Sequence, residues 1–161
     1  MNWDIFIKTK PITKLISTSF RSASIQDLDQ ILIIERRVYP QPWSEQKFVD
    51  SFNHTDIDIQ LATQDQTVVG YCLTLPSMDF VDILNICVDS DYQQQGLGWQ
   101  LLDNLCKQHQ GSARKAIILE VRESNIAAIR FYQSYGFKQI DSRKKYYSNG
   151  EDAKILRLQI G

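Results

Sequence analysis

Apolar residues along the chain switch between two periods, and the switches mark out successive elements. "SFRSA" (19–23) reads as a short first strand. Ser24 and Asp27 form a capping box, with the acid in place of the usual Glu, ahead of Leu28, Ile31, Leu32 and Glu35 at helical spacing. The prolines of "YPQPW" stop that helix and force a loop, and Ser44 is placed to cap a second helix ending near Asn53. Alternation returns in "IDIQLAT" (57–63), turns at "DQ", continues in "TVVGYCLTL" (67–75) and again in "VDILNICV" (81–88). From Gly96 to about His109, the positions Leu97, Leu101, Leu102 and Leu105 mark one helix face. "AIILEV" (116–121) is mostly apolar, as a central strand should be. "NIAAIRFYQSYGF" is a helix from about Asn125, stopped by Gly136 as C-cap. Two last strands, about 137–147 and 153–160, meet around "SNG", a hairpin signal. The order β-α-α-β-β-β-α-β-α-β-β predicts an α/β (α+β) architecture, a mixed sheet with helices on its faces.

Composition narrows the function more than the fold. The 161 residues suit one domain, with 1–18 as an appendage ahead of a domain at 19–161. Lys and Arg total 18 against 19 acids, which argues against a dedicated binder of nucleic acid or of anionic membranes. No apolar run approaches a membrane span, and "MNWDIFIKTKPITK" lacks the pattern of a secretory signal. Cys72, Cys87 and Cys106 are odd in number and make no metal-binding spacing, so they read as reduced thiols of a cytoplasmic protein with no metal site.

The chemistry concentrates where a strand ends at Val88 and a helix opens at Gly96. Free N–H groups at a helix start attract phosphate oxygens, and bare backbone at Gly96 and Gly98 admits a bulky group. A tight loop with close helix packing would use the same glycines. Neither a P-loop nor a dinucleotide fingerprint is present. Glu120 lies inside an apolar strand, where a carboxylate needs water or a partner; an ion pair with Arg122, two residues on and on the same face, is one reading and a catalytic base the other. Tyr132 shares a helix stripe with Asn125, Ala128, Ile129 and Gly136, as a core aromatic or as the wall of a groove.

These segments resemble a known family. "NICVDSDYQQQGLGWQLL", with Q-x-x-G-x-G at Gln93, Gly96 and Gly98, is similar to the acetyl-CoA signature of the GNAT acetyltransferases. "LEVRESNIAAIRFYQSYGF", then "RKKYY" and "EDA", with "PWS" at 42–44, resembles the RimI type, which acetylates the N-terminal alanine of a small-subunit ribosomal protein. The resemblance covers about 19–160 and implies a mostly antiparallel sheet of about seven strands with a splayed pair, flanked by about four helices. It implies acetyl-CoA as donor, held by Ile86, Cys87, Val88, Gln93, Gln94, Gln95, Gly96, Leu97, Gly98, Trp99 and Asn125, with the Val88 N–H steadying the oxyanion. It makes Glu120 the base that takes a proton from an α-ammonium and Tyr132 the acid that protonates the departing thiolate. Trp43, Tyr146 and Tyr147 would line the peptide entrance, although ordinary loop packing would place them there too. The partner implied is a protein N-terminus, that of small-subunit ribosomal protein eighteen or one like it. A lysine side chain, a small amine, or a non-catalytic acyl-CoA sensor are the alternatives. Cys87 as an acetyl carrier would need an activating neighbour, and no histidine lies nearby in sequence. Gln94 and Trp99 stand where the family often has arginine, so phosphates would depend on backbone donors. Glu35, Asp50, Asp79 and Asp82 would attract a basic peptide if they gathered at the entrance, but scattered acids read as solvated surface.

Overall fold

The computed structural model describes residues 17–160, so almost all of the expected appendage at 1–18 lies outside the described residues. The strands are β1 (Ser19–Ser22), β2 (Asp58–Gln64), β3 (Thr67–Pro76), β4 (Phe80–Val88), β5 (Ala116–Arg122), β6 (Lys138–Arg143) and β7 (Ala153–Gln159). The helices are α1 (Leu28–Val38), α2 (Glu45–Asn53), α3 (Leu97–His109) and α4 (Ile126–Tyr135). Short 3₁₀ turns at Ile25–Asp27 and Ser90–Tyr92 were not expected from the pattern.

Local chemistry explains most boundaries. The Asp27 carboxylate accepts from the Ser24 N–H at 2.8 Å, and Arg21 grips it through both guanidinium nitrogens at 2.7 and 2.9 Å. Ser44 caps α2 by accepting from the Lys47 N–H. Asp65 and Gln66 both take positive φ, 46° and 68°, the mirror-image turn that matches strand twist in a two-residue hairpin. The last hairpin is longer and β6 shorter than expected. Asp152 is the reason: it accepts from the Lys145 N–H at 2.8 Å and pairs with Lys144 at 2.6 Å, which turns the chain out of the ladder.

One seven-stranded sheet runs in the order β1-β2-β3-β4-β5-β7-β6. Every pair is antiparallel except β4 with β5. The apolar stripes of α1 and α2 cover one face, where Ile31, Ile34 and Phe48 pack on Leu61, Tyr71 and Leu73. Those of α3 and α4 cover the other, where Leu101, Leu102 and Ile129 pack on Val81, Ile117 and Leu156.

Two irregularities in β4 position the site. Leu73 pairs with Asn85 and Thr74 with Ile83, so Leu84 is an extra residue, a bulge that bends the strand. The pairing of β4 with β5 ends at Ile83 and Leu119, although β4 continues to Val88 and β5 to Arg122. Beyond that point β4 stays with β3, and β5 stays with β7 as far as Arg122 opposite Ala153. A gap therefore opens between two strands that each keep only one partner.

Candidate active site

The register of β4 fixes what faces the gap. Asp89 N–H donates to Val69 at 2.9 Å, so that pair is hydrogen-bonded. Antiparallel ladders alternate, so Val88, opposite Gly70, and Ile86, opposite Cys72, sit at non-bonded pairs. Their N–H and C=O groups then point away from β3, into the gap. Side chains bear this out: the Tyr39 hydroxyl donates to the Ile86 carbonyl at 2.6 Å and Gln93 Nε2 donates to the Val88 carbonyl at 3.0 Å. The carbonyls are thus occupied, and the two N–H groups are left facing the opening. Cys87 belongs to the β3 ladder and sends its thiol to the α1 face. Burial pushes the Cys72 and Cys87 thiols up to about 12, which keeps them protonated and speaks against a thiolate carrier.

Below the gap the chain makes a loop of exposed residues, Gln93 to Gly96, before α3. Gln94 (φ 57°) and Gly96 (φ 82°) are left-handed, a backbone that curls amides into a concave nest continuous with the open N–H groups of the first α3 turn. The space beside Gly96 is clear, since an added Cβ would meet nothing within 4 Å, so this glycine is required for its φ. Gly98 has another reason: a Cβ there would lie 2.9 Å from Phe131 Cζ, so it serves the close approach of α3 to α4. Gly98→Ala is expected to cost about 1–3 kcal/mol, read as a lower urea midpoint, with Phe131→Leu restoring part of it. Gln95 donates to the Asp91 carbonyl at 3.3 Å, so with Gln93 it braces the loop. Leu97 is buried, and Trp99 lies 4.8 Å from Tyr135, ring to ring, with an exposed edge. Arg37, which the pattern gave no reason to single out, ties α1 to this loop by gripping Asp89 at 2.8 Å and Asp91 at 3.2 Å.

On the far side of the gap stand Glu120 and Tyr132. Glu120 is part-exposed and pairs with Arg143 at 2.7 Å, not with Arg122, which pairs instead with Glu151 at 3.1 Å. Asp82 is its neighbour, and burial first, then the Glu120 charge, raises the Asp82 carboxyl. The Tyr146 phenol is raised chiefly by a hydrogen bond to Glu120. Tyr132, on α4, is 8% exposed, and burial with nearby Cys72 and Cys87 drives its phenol well above the ordinary range. Among the described residues its hydroxyl has no hydrogen-bond partner, and no fully buried side-chain oxygen lacks one, so this oxygen is not fully buried. Tyr39 reaches the gap from the opposite face through its bond to the Ile86 carbonyl, and burial drives its phenol well above the ordinary range. Asn125 caps α4, accepting from the Ala128 N–H at 3.2 Å, and is exposed.

Glu35 corrects the sequence expectation. It is 1% exposed, not surface, and its carboxylate accepts from the Trp43 N–H at 2.7 Å, from Asn85 Nδ2 at 3.2 Å and from the Tyr71 hydroxyl. Its position on the buried stripe with Ile31 was the available signal. The contact fastens the α1–α2 loop to β3 and β4. Trp43 itself packs on Phe48 with Lys47 Nζ 3.5 Å from its ring, and Tyr146 and Tyr147 lie edge to face at 5.3 Å in the last hairpin.

A parted parallel pair with spare amides above an anion-receptive helix start suits a carbonyl joined to a polyphosphate carrier, and the class so defined is an acyltransferase fold. The Acetyltransferase (GNAT) family model matches residues 28–137, and the chain belongs to that family. It is 37% identical over 142 residues to the [ribosomal protein bS18]-alanine N-acetyltransferase of Escherichia coli (strain K12), covering 86% of this chain and 95% of the relative. The enzyme of that name from Salmonella typhimurium is 36% identical over 140 residues, covering 85% and 94%. A crystal structure of the ribosomal-protein-S18-alanine N-acetyltransferase from Escherichia coli matches with a TM-score of 0.82 and 35% identity, over 90% of this chain and 95% of that one. No helix among the described residues is long and apolar enough to cross a membrane.

Proposed function

We propose that this protein moves the acetyl group of acetyl-CoA to the α-amine of a protein N-terminus in the cytoplasm, the N-terminal alanine of ribosomal protein bS18 being its acceptor. The chemistry rests on one observation: unpaired Ile86 and Val88 amides face a gap flanked by a part-exposed carboxylate and an unpartnered phenol. The acceptor rests on the E. coli relative, matched along nearly its whole length.

The donor fits the residues present. The nest from Gln93 to Trp99 receives the diphosphate, the Asn125 amide hydrogen-bonds the pantetheine arm, and the Val88 N–H holds the thioester oxygen. An N-terminal amine is mostly ammonium at neutral pH, since its pKa is near 8. Glu120, directly or through a water, takes that proton. The amine nitrogen then bonds to the acetyl carbon, the C–S bond breaks, Tyr132 gives its proton to the sulfur, and the proton left over on the new amide nitrogen passes through water to restore the Tyr132 phenol. Trp43, Tyr146 and Tyr147 flank the arriving peptide.

Gln94→Arg is expected to tighten acetyl-CoA binding by about three- to tenfold at low salt and to make it more salt-sensitive, because a charge-assisted contact joins backbone donors. Calorimetry at two salt concentrations reads both effects. The acceptor is tested with short peptides of varied first residue, each carrying an internal lysine, incubated with acetyl-CoA. Fragment spectra should place the acetyl group on the α-nitrogen of alanine-first peptides. Transfer to the lysine ε-nitrogen would support the side-chain alternative, and donor binding without any transfer would support a sensor.

A further inference from the structure

Arg122 ends β5 beyond the point where β4 has left it, and its guanidinium reaches two separate segments. Nη2 donates to Gln41 Oε1 at 2.8 Å, in the loop between α1 and α2. Nη1 donates to Glu151 Oε2 at 3.1 Å and to Asn149 Oδ1 at 3.4 Å, both in the β6–β7 hairpin. The plane also covers the Tyr147 ring, with the guanidinium carbon 3.8 Å from its centroid. Among the described residues, no hydrogen bond or ion pair joins that loop to that hairpin directly. Hydrogen bonds from Ser124 and then the guanidinium hold the Glu151 carboxyl down at about 2, so the anchor stays charged.

We infer that Arg122 is a positioning residue that couples the α1–α2 loop to the β6–β7 hairpin, so that the two sides of the acceptor entrance move as one. The inference rests on the acceptor reading of those loops given above. A planar fork with several donors and a stackable face can hold Gln41, Asn149, Glu151 and Tyr147 at once, and an ammonium cannot. Tyr147 lies edge to face with Tyr146, so the coupling reaches both tyrosines that flank the acceptor entrance. A displaced α1–α2 loop would then disturb the hairpin tyrosines without touching them.

Gln41→Ala tests this, since Gln41 is exposed and its side chain bonds to Arg122. Hydrogen exchange is expected to speed up several-fold not only at 39–44 but also at 145–150, across the clamp. KM for an alanine-first peptide should rise by up to about tenfold, the effect of losing one solvent-exposed hydrogen bond, with kcat within twofold and acetyl-CoA affinity unchanged. Arg122→Lys should loosen both segments in the same way. Faster exchange confined to 39–44 in Gln41→Ala, or an unchanged hairpin in Arg122→Lys, would overturn the coupling. If wild type acetylates no peptide, the acceptor reading fails, while the exchange comparison still decides the coupling.

Discussion

Tyr132→Phe is expected to lower kcat by about 10²–10³-fold while leaving acetyl-CoA affinity and the urea midpoint near their wild-type values. The expectation follows from the hydroxyl's surroundings. It makes no hydrogen bond among the described residues, so its loss removes no structural contact, and the ring keeps its packing against Phe131 and Phe137. Burial holds the phenol protonated across the working pH range, the state an acid must be in when a thiolate departs. A leaving thiolate without that donor must take its proton from water instead of from a group held in place beside it. Pre-steady-state measurement should show the loss in the chemical step. Glu120→Gln should slow the same step from the acceptor side, and acceptors of lower amine pKa should suffer less from it. A Tyr132→Phe protein with full kcat would remove the acid from this account.

Glu35→Ala should give the largest loss of stability, about 3–5 kcal/mol, read as a lower urea midpoint at unchanged slope. Three donors converge on this carboxylate. Truncation leaves the Tyr71 hydroxyl and the Asn85 amide buried and unpaired, at about 1–3 kcal/mol for each, and opens a cavity between α1 and the sheet. Glu35→Gln keeps the volume but brings an NH₂ group that cannot accept, so it should fall between the two. Because the Trp43 N–H is one of the three donors, peptide KM should rise in Glu35→Gln before the fold is lost. A Glu35→Ala protein within about 0.5 kcal/mol of wild type would mean that the network adds nothing to the fold.

Much of this molecule can be read from its residues because the signals are local. Helix stripes, the Asp65–Gln66 turn, the Ser44 cap and the Gly136 stop each depend on a few neighbouring positions, and their boundaries fall within a residue or two of expectation. The gap is not local. It depends on where β4 and β5, more than thirty residues apart in sequence, cease to pair, and on a bulge at Leu84 that no period reveals. Gly96 and Gly98 illustrate the same divide. Both drew attention as bare backbone, but only the structure separates a glycine needed for φ from one needed by Phe131. Charges were read least well. Glu35 lay on an apolar stripe and is buried, while Glu120 pairs with Arg143, twenty-three residues away, and not with the nearer Arg122. Partners of charged groups are set by tertiary approach, which spacing along one strand does not determine.

Main-chain amides at the parting of β4 and β5, and at the start of α3, are expected to hold acetyl-CoA. Hydrogen exchange with and without saturating acetyl-CoA tests it most directly. Slower exchange at Ile86 and Val88 and across Gln93–Trp99, with Cys87 already protected in both states by its ladder bond, is the result predicted. Saturable binding that leaves those amides exchanging at their free rates would contradict it.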